Sequence, residues 1–201
     1  MIAGMKRALL VIDVQESFRQ HPLWQVISNP GIAEDVSDLV EARRAAGDQV
    51  IWILHAEPGS GSAFDPDGGL VRFIAPLAPA DGETVLTKTS HNAFTTTRLQ
   101  QLLVSSGIDE VIICGIRTEQ CCETTARVAS DLGYDVTFVI DATATHPIRH
   151  RDAPADLSVA ELLADPRTLP ASAVIERTEY ALAGRFATIT SRAEMGILTR
   201  S

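Results

Sequence analysis

The stretch that decides the fold reads Val111-Ile112-Ile113-Cys114-Gly115-Ile116-Arg117-Thr118-Glu119-Gln120-Cys121-Cys122-Glu123-Thr124-Thr125-Ala126-Arg127. Its apolar start is typical of a buried strand, and Gly115 indicates a turn. Thr118 is a residue type that caps helices, so a helix is predicted to begin there. Cys121 then falls in the first helical turn, where unpaired N–H groups and partial positive charge favour a thiolate. The thiolate is the nucleophilic form of cysteine.

Similar apolar runs recur along the chain. They predict strands at residues 8–12, 50–54, 84–87, 111–114, 136–140 and 186–189. Helical patterns lie between them at residues 32–46, 96–105, 121–132 and 173–183. Because the strand patterns are continuous rather than alternating, we expect a parallel sheet covered on both faces. The alternation of strand and helix therefore predicts a three-layer α/β/α sandwich of the Rossmann-like kind.

Composition predicts an ordinary soluble protein of one domain. The 201 residues are 45% hydrophobic and 21% charged, and we expect a single domain over residues 1–201. A net charge of −9 argues against a nucleic-acid partner, which favours a basic face. No apolar run is long enough to predict a membrane span, and no leader pattern is visible, so no membrane partner is expected.

The cysteines and loops complete this outline. Three cysteines, two of them adjacent, do not form a disulfide framework, so a reducing, cytoplasmic location is predicted. Cys114 and Cys122 are expected in the core. Residues 57–69 and 146–171 are irregular, and the second segment is expected to carry a short helix near Ala160. Such long loops often form lids or contact a partner.

Polar residues gather at the predicted carboxyl ends of the strands, where open parallel sheets bind ligands. These residues are Asp13, His55, Lys88, Cys121 and Asp141. Three of them have a plain structural alternative, since Asp13 suits a turn, Lys88 suits a solvated surface and Cys121 suits the core. Their occurrence at one edge places an acid, a base and a thiol together.

The motifs in combination resemble a known family. They are Asp13-Val14-Gln15-Glu16-Ser17-Phe18, Lys88-Thr89-Ser90-His91-Asn92-Ala93-Phe94, Gly115-Ile116-Arg117-Thr118-Glu119-Gln120-Cys121 with Thr125-Ala126-Arg127, Gly133-Tyr134-Asp135-Val136, and Asp141-Ala142. In order and spacing they resemble the isochorismatase-like cysteine hydrolases, which include nicotinamidases and N-carbamoylsarcosine amidases. The resemblance runs from about residue 6 to residue 190. It implies a six-stranded parallel sheet between helices.

The resemblance also implies a catalytic arrangement. The family's acid corresponds to Asp13, its lysine to Lys88 and its nucleophile to Cys121. A cis peptide is implied between Ile116 and Arg117. The backbone N–H groups of Arg117 and Cys121 would form the oxyanion hole, and Cys121 would attack a carbonyl carbon to give a thioester.

Substrate contacts and cofactors are indicated less directly. Phe18 and Trp24 are predicted to line the substrate pocket, and His21 and His146 also fall near the strand ends. Nicotinamidases carry an Asp-x-His segment and further histidines after the second strand. Here His55 is the single histidine of that segment, with no aspartate two residues before it. We therefore expect no metal and no other cofactor, and nicotinamide is disfavoured as the substrate.

The motifs are compatible with several functions. The leading one is a cysteine-dependent hydrolase that cleaves an amide or ureido C–N bond of a small molecule. Alternatives are an isochorismatase-type vinyl-ether hydrolase, which does not use the thiol, and a non-catalytic member. A nucleotide-binding protein is excluded because no glycine follows Asp13 to cradle phosphate. Family members are usually oligomers, so a homodimer or homotetramer is expected.

Overall fold

A six-stranded sheet forms the centre of the protein, as seen in a computed structural model that describes residues 5–197. The strands are β1 Arg7–Ile12, β2 Gln49–His55, β3 Thr84–Lys88, β4 Glu110–Ile116, β5 Asp135–Ala144 and β6 Thr188–Thr190. Their order is β3-β2-β1-β4-β5-β6, and every neighbouring pair is parallel. The predicted six-stranded parallel sheet is confirmed. The predicted domain also includes residues 1–4 and 198–201, which lie outside the described residues.

Helices cover both faces of the sheet. They are α1 Glu16–Arg19, α2 Ile32–Ala45, α3 Leu99–Ser106, α4 Glu123–Asp131, α5 Val159–Ala164 and α6 Ala171–Leu182. Leu10 and Ile12 of β1 pack in one apolar cluster with α3, α4 and α6, whereas Leu9 and Val11 pack in a second cluster with α2. Burial of each such side chain contributes about 1.5–3 kcal/mol. The three-layer sandwich is therefore confirmed, and α5 matches the short helix expected near Ala160.

Three helix starts differ from the predictions, and one of them is that of α6, which begins at Ala171 rather than at residue 173. The helix predicted from residue 96 begins at Leu99, because Thr97 Oγ1 donates to Ala93 O (2.5 Å) and accepts from Leu99 N (3.0 Å). These local bonds favour a turn over a helix. The helix predicted at Cys121 is preceded by a π-helical turn, Thr118–Cys122, so α4 begins one residue after the turn ends. Thr118 does not cap it, since its hydroxyl donates to Thr143 Oγ1 (2.9 Å).

The fifth strand is longer than predicted, which moves Asp141 away from the strand ends. β5 continues to Ala144. The Asp141 carboxylate accepts from Arg192 N (2.8 Å) and pairs with Arg192 Nε (3.3 Å). The expectation that Asp141 belongs to the group of polar strand-end residues is wrong, because it serves this ion pair instead.

Gly115 allows β1 and β4 to approach closely beside the strand ends. It has φ of +129°, and a Cβ atom there would lie 1.9 Å from Ile12 O. Any side chain would therefore push the two strands apart. Asp13 follows β1 directly, with φ of +53°, and its N–H donates to Ile53 O (2.9 Å). The contacts at the ends of β1, β2 and β4 thus fix the backbone of Asp13.

Among the described residues, no helix combines the length and apolar character that crossing a membrane requires.

Candidate active site

Lys88 is the centre of a buried polar cluster at the carboxyl ends of β1, β2 and β3. Its Nζ lies 2.7 Å from Asp13 Oδ2 and forms an ion pair with it. It also donates to Cys121 Sγ (3.3 Å) and lies 3.3 Å from His55 Nδ1. The side chains of Asp13 and Lys88 are fully buried. The structure therefore brings together four residues that are far apart in sequence.

The cluster favours a charged lysine beside a basic carboxylate. Burial by itself would lower the pKa of Lys88, but the facing Asp13 and Cys121 raise it above its usual value. Burial raises the pKa of Asp13, although the neighbouring Lys88 opposes that shift. A carboxylate with a raised pKa binds a proton more strongly. Asp13 Oδ1 has no hydrogen-bond partner among residues 5–197, so one oxygen remains to accept a proton.

His55 holds the third position around Lys88. Burial and the adjacent Lys88 lower its pKa, so the ring is neutral. A charged lysine has only N–H donors. His55 Nδ1 must therefore be the acceptor, and Nε2 carries the hydrogen toward Glu57 Oε1 (3.6 Å). The sequence predicted that His55 bonds to a neighbour but not that the neighbour is Lys88.

Cys121 is held by the π-helical turn and by α4. Its carbonyl accepts from Thr125 Oγ1 (2.6 Å), which in turn accepts from Ala93 N (3.1 Å). Thr125 therefore ties the cysteine to the loop that follows β3. The sequence motifs include Thr125 but do not predict this role. A threonine one helical turn after the cysteine does not indicate a long-range partner such as Ala93.

The sequence predicts a thiolate at Cys121 because of its place at a helix start, whereas the structure favours the protonated thiol. Burial, followed by the charge of Asp13, raises the pKa of Cys121 to about 12, and Lys88 only partly opposes this. The expectation fails because burial outweighs the helix start and the lysine. Cys121 retains 6% of its surface, whereas Cys114 and Cys122 are fully buried, as predicted for core residues. Cys121 is thus the most accessible of the three thiols.

The peptide between Ile116 and Arg117 is cis, as the resemblance implied. It joins the end of β4 to the turn that carries Cys121. The carbonyl of Arg117 accepts from Gln120 N (3.1 Å) and Cys122 N (3.2 Å). Arg117 and Cys121 are therefore parts of one tight turn. The oxyanion role of their own N–H groups stays a prediction.

A cavity of about 570 Å³ lies beside this turn. Arg117 and Gln120 of the turn line it, and His21, His146 and Arg149 line it from other segments. The sequence predicted that both histidines lie near the strand ends. It did not predict a role for Arg149, which lies in the irregular segment 146–171. The position of a side chain in such a segment depends on tertiary packing rather than on a periodic pattern.

The two aromatic residues predicted for the substrate pocket do not line this cavity, and their contact with a substrate stays a prediction. Phe18 makes an edge contact with Phe64 (5.0 Å between ring centroids), and Phe64 makes another with His55 (5.7 Å). Phe18 is therefore near the lysine cluster rather than the cavity. Trp24 packs against the core on the α2 side and under Arg19 (5.8 Å), so it does not line the cavity. Its turn neighbours Pro22 and Leu23 do so instead.

The polar cluster does not suit the metal that nicotinamidases carry. His55 has one ring nitrogen against the Lys88 ammonium and the other toward Glu57. A cation next to the acceptor nitrogen opposes binding of a second cation. Within residues 5–197, no three His, Cys, Asp or Glu side chains are grouped closely enough to form a metal site. The expectation of a metal-free site stays a prediction.

Comparison with known proteins gives a consistent result. A family model described as the isochorismatase domain matches residues 7–164. The isochorismatase family protein YrdC of Bacillus subtilis is 34% identical over 149 residues, which are 73% of this chain and 78% of that protein. Nicotinamidase 3 of Arabidopsis thaliana is 48% identical over 152 residues, which are 69% of this chain and 73% of that protein.

Solved structures extend the likeness to nearly the whole chain. A cysteine hydrolase from Pseudomonas syringae pv. phaseolicola superposes with a TM-score of 0.79 at 26% identity, covering 94% of this chain and 90% of that one. A hydrolase of the isochorismatase family from Chromobacterium violaceum gives a TM-score of 0.83 at 26% identity, covering 96% and 93%. The fold, the motifs and the matched family domain agree. The chain therefore belongs to the isochorismatase family of hydrolases.

Proposed function

We propose that this hydrolase cleaves the C–N bond of a small amide or ureido compound through a thioester on Cys121. The observation that carries the proposal is the buried contact of Lys88 Nζ with both Asp13 Oδ2 (2.7 Å) and Cys121 Sγ (3.3 Å). A cysteine with a base and an orienting cation is the arrangement that covalent acyl transfer needs.

The first half of the reaction forms the thioester. Asp13 takes the proton of the Cys121 thiol while the sulfur attacks the carbonyl carbon of the substrate. The C–N bond then breaks, and the amine leaves with the proton that Asp13 held. Burial and the charge of Asp13 raise the pKa of Cys121, which favours the protonated thiol in the resting site. We therefore propose that proton transfer to Asp13 accompanies the attack.

The second half regenerates the enzyme. Asp13 takes a proton from water as the water oxygen attacks the thioester carbon. The C–S bond breaks, the proton returns to sulfur, and a carboxylic acid is released. Lys88 keeps its charge throughout, holding Asp13 in place and stabilising the negative charge that develops on sulfur. The N–H groups of Arg117 and Cys121 are the proposed donors to the oxyanion.

The relatives support a C–N substrate class. One is a nicotinamidase by name, and one structural neighbour is called a cysteine hydrolase. Nicotinamide itself is not favoured, because the residues around His55 do not form a metal-binding set. A thiol-independent vinyl-ether hydrolase would have no use for the contact between Lys88 and Cys121.

The test is a comparison of variants on a panel of amides, carbamoyl amino acids, ureido acids and nicotinamide, assayed after dialysis against EDTA. We expect Cys121→Ser and Asp13→Asn to lose at least about a hundredfold in turnover, the lower range for a positioned base. Circular dichroism should show parental folding for both. Parental turnover by Cys121→Ser would support the vinyl-ether reaction. No turnover by the parent protein would support a non-catalytic role.

A further inference from the structure

The cavity beside the turn that carries Cys121 has both cationic and apolar lining residues. Arg117 and Arg149 line it, together with two histidines. Its apolar lining residues are Leu23, Pro147, Ile148, Leu157, Val159 and Leu162. Cys121 does not itself line the cavity, but Arg117 and Gln120 of the turn that carries it do. The cavity volume suits a molecule of a few tens of atoms or fewer.

The Arg117 guanidinium is held in place by a neutral histidine. Burial lowers the pKa of His146 to about 4, so its ring is uncharged. Its Nδ1 lies 3.0 Å from Pro147 O, a contact that only a protonated nitrogen can make favourably. Nε2 is then the acceptor for Arg117 Nη1. His21 stacks on His146, with ring centroids 5.4 Å apart and planes within 5°.

Arg149 adds a second positive charge. Its Nη1 donates to the carbonyl groups of Ala153 and His150, which fix the side chain without neutralising it. In the part of the chain that the structure describes, no carboxylate pairs with the Arg149 guanidinium. An arginine held by carbonyl groups in a cavity wall keeps its capacity for an anionic ligand.

The carboxylate of Glu119 lies beside Arg117 and reduces the positive charge at the cavity. Glu119 Oε1 is 3.8 Å from Arg117 Nε, and neither of its oxygens accepts a hydrogen bond within residues 5–197. The side chain of Glu119 is only 9% exposed. It offsets one charge, so the two arginines and this glutamate leave a net charge of about +1 at the cavity. Both histidines have lowered pKa values and add none at neutral pH.

We propose that this cavity binds a carboxylate, so that the substrate is a small amide that carries both a carboxylate and a compact apolar group. The carboxylate would lie against Arg149 and Arg117, the apolar group against the leucine-rich wall, and the amide carbon at Cys121. This inference rests on the proposed function for the identity of the reacting bond. Binding of the carboxylate does not depend on that function.

The test measures binding without turnover. Every protein carries Cys121→Ser, and the probes are N-acetyl-leucine and the matched neutral N-acetyl-leucinamide, titrated by calorimetry. We expect the carboxylate to bind about tenfold more tightly or better, as charge-assisted hydrogen bonds to arginine allow. Adding Arg149→Gln or Arg117→Gln should remove that preference.

Arg151→Gln is the matched control. Arg151 lies two residues from Arg149, its side chain is 88% exposed, and it pairs with Asp152 outside the cavity. This variant should keep the preference for the carboxylate. Equal affinity for the two probes, no binding of either, or a preference that survives Arg149→Gln would each overturn the proposal. A carboxylate preference in a protein that hydrolyses no amide would refute the proposed function and leave the anion site intact.

Discussion

At the residue scale, the main feature is a lysine charge held in a fully buried cluster. Lys88 is surrounded by Asp13, Cys121 and His55, and removing such a charge from water costs several kcal/mol unless partners offset it. The partners are also the groups proposed for catalysis. The same contacts therefore determine both the stability of the site and its chemistry.

The buried ion pair predicts a large effect of removing one partner. Lys88→Ala should lower the free energy of unfolding by about 3–5 kcal/mol, because it leaves the Asp13 carboxylate buried without its counter-charge. Turnover should also fall. Chemical denaturation followed by circular dichroism measures the first effect, and a steady-state assay measures the second.

A double variant separates charge from packing. Asp13→Asn with Lys88→Met removes both charges and keeps similar volumes. We expect its free energy of unfolding to lie closer to that of the parent than Lys88→Ala does, while turnover stays lost. If the double variant is the less stable of the two, the uncompensated charge is not the cause of the destabilisation.

The pH dependence follows from the Asp13 carboxylate. Only its ionised form accepts the thiol proton, and burial raises its pKa above the ordinary value of 3.8. The ratio kcat/KM should therefore fall as pH drops through a value higher than that of a free aspartate. Lys88 lowers the pKa of Asp13, so Lys88→Ala should move this acid limb to higher pH, and Arg151→Gln should not. An unmoved limb in Lys88→Ala would assign it to another group.

At the scale of elements, strand ends were the most predictable part of the site. Asp13, Lys88 and Cys121 each follow a recognisable apolar strand, and parallel strands bring their carboxyl ends to one edge. The π-helical turn at Thr118 was not predictable, because a π turn and an α turn share the same residue types. The protonated state of Cys121 follows from burial of its side chain, and the degree of burial cannot be read from the sequence pattern.

Gly115 predicts a strong effect at the junction of two strands. Gly115→Ala should destabilise the fold by more than about 4 kcal/mol or prevent folding, because the added Cβ would lie 1.9 Å from Ile12 O. Gly133→Ala is the control, since Gly133 also has positive φ (+91°) but has no atom within 4 Å of the added Cβ. That variant should lose only about 1–2 kcal/mol. Equal losses would show that φ alone matters. Thermal and chemical unfolding measure both.

At the scale of the whole molecule, the segment 146–171 supplies much of the cavity lining, which the central sheet alone does not form. It supplies His146, Arg149 and α5 to the cavity beside Cys121. Its sequence predicted an irregular excursion with a short helix, and this is confirmed. The cationic cavity itself was not predictable, because it depends on how this segment packs against the turn at Pro22–Val26.

The same segment supports a proposal about assembly. Leu163 and Leu169 are about half exposed there, and exposed apolar residues near one another often mark a contact between chains. We expect a homodimer or homotetramer at micromolar concentration. Light scattering coupled to size exclusion should give a multiple of 21.6 kDa. A mass of one chain would contradict the proposal, and Leu163→Glu with Leu169→Glu should shift an oligomer toward that mass.

The central claim is that Cys121 carries the acyl group of the substrate. The most direct test is acid quenching during turnover of the best substrate in the panel, followed by mass spectrometry of the peptide that contains Cys121. We predict a mass increase equal to the acyl group on Cys121, none on Cys114 or Cys122, and none in Asp13→Asn. Turnover by the parent protein with an unmodified Cys121, and with Cys121→Ser equally active, would contradict the account.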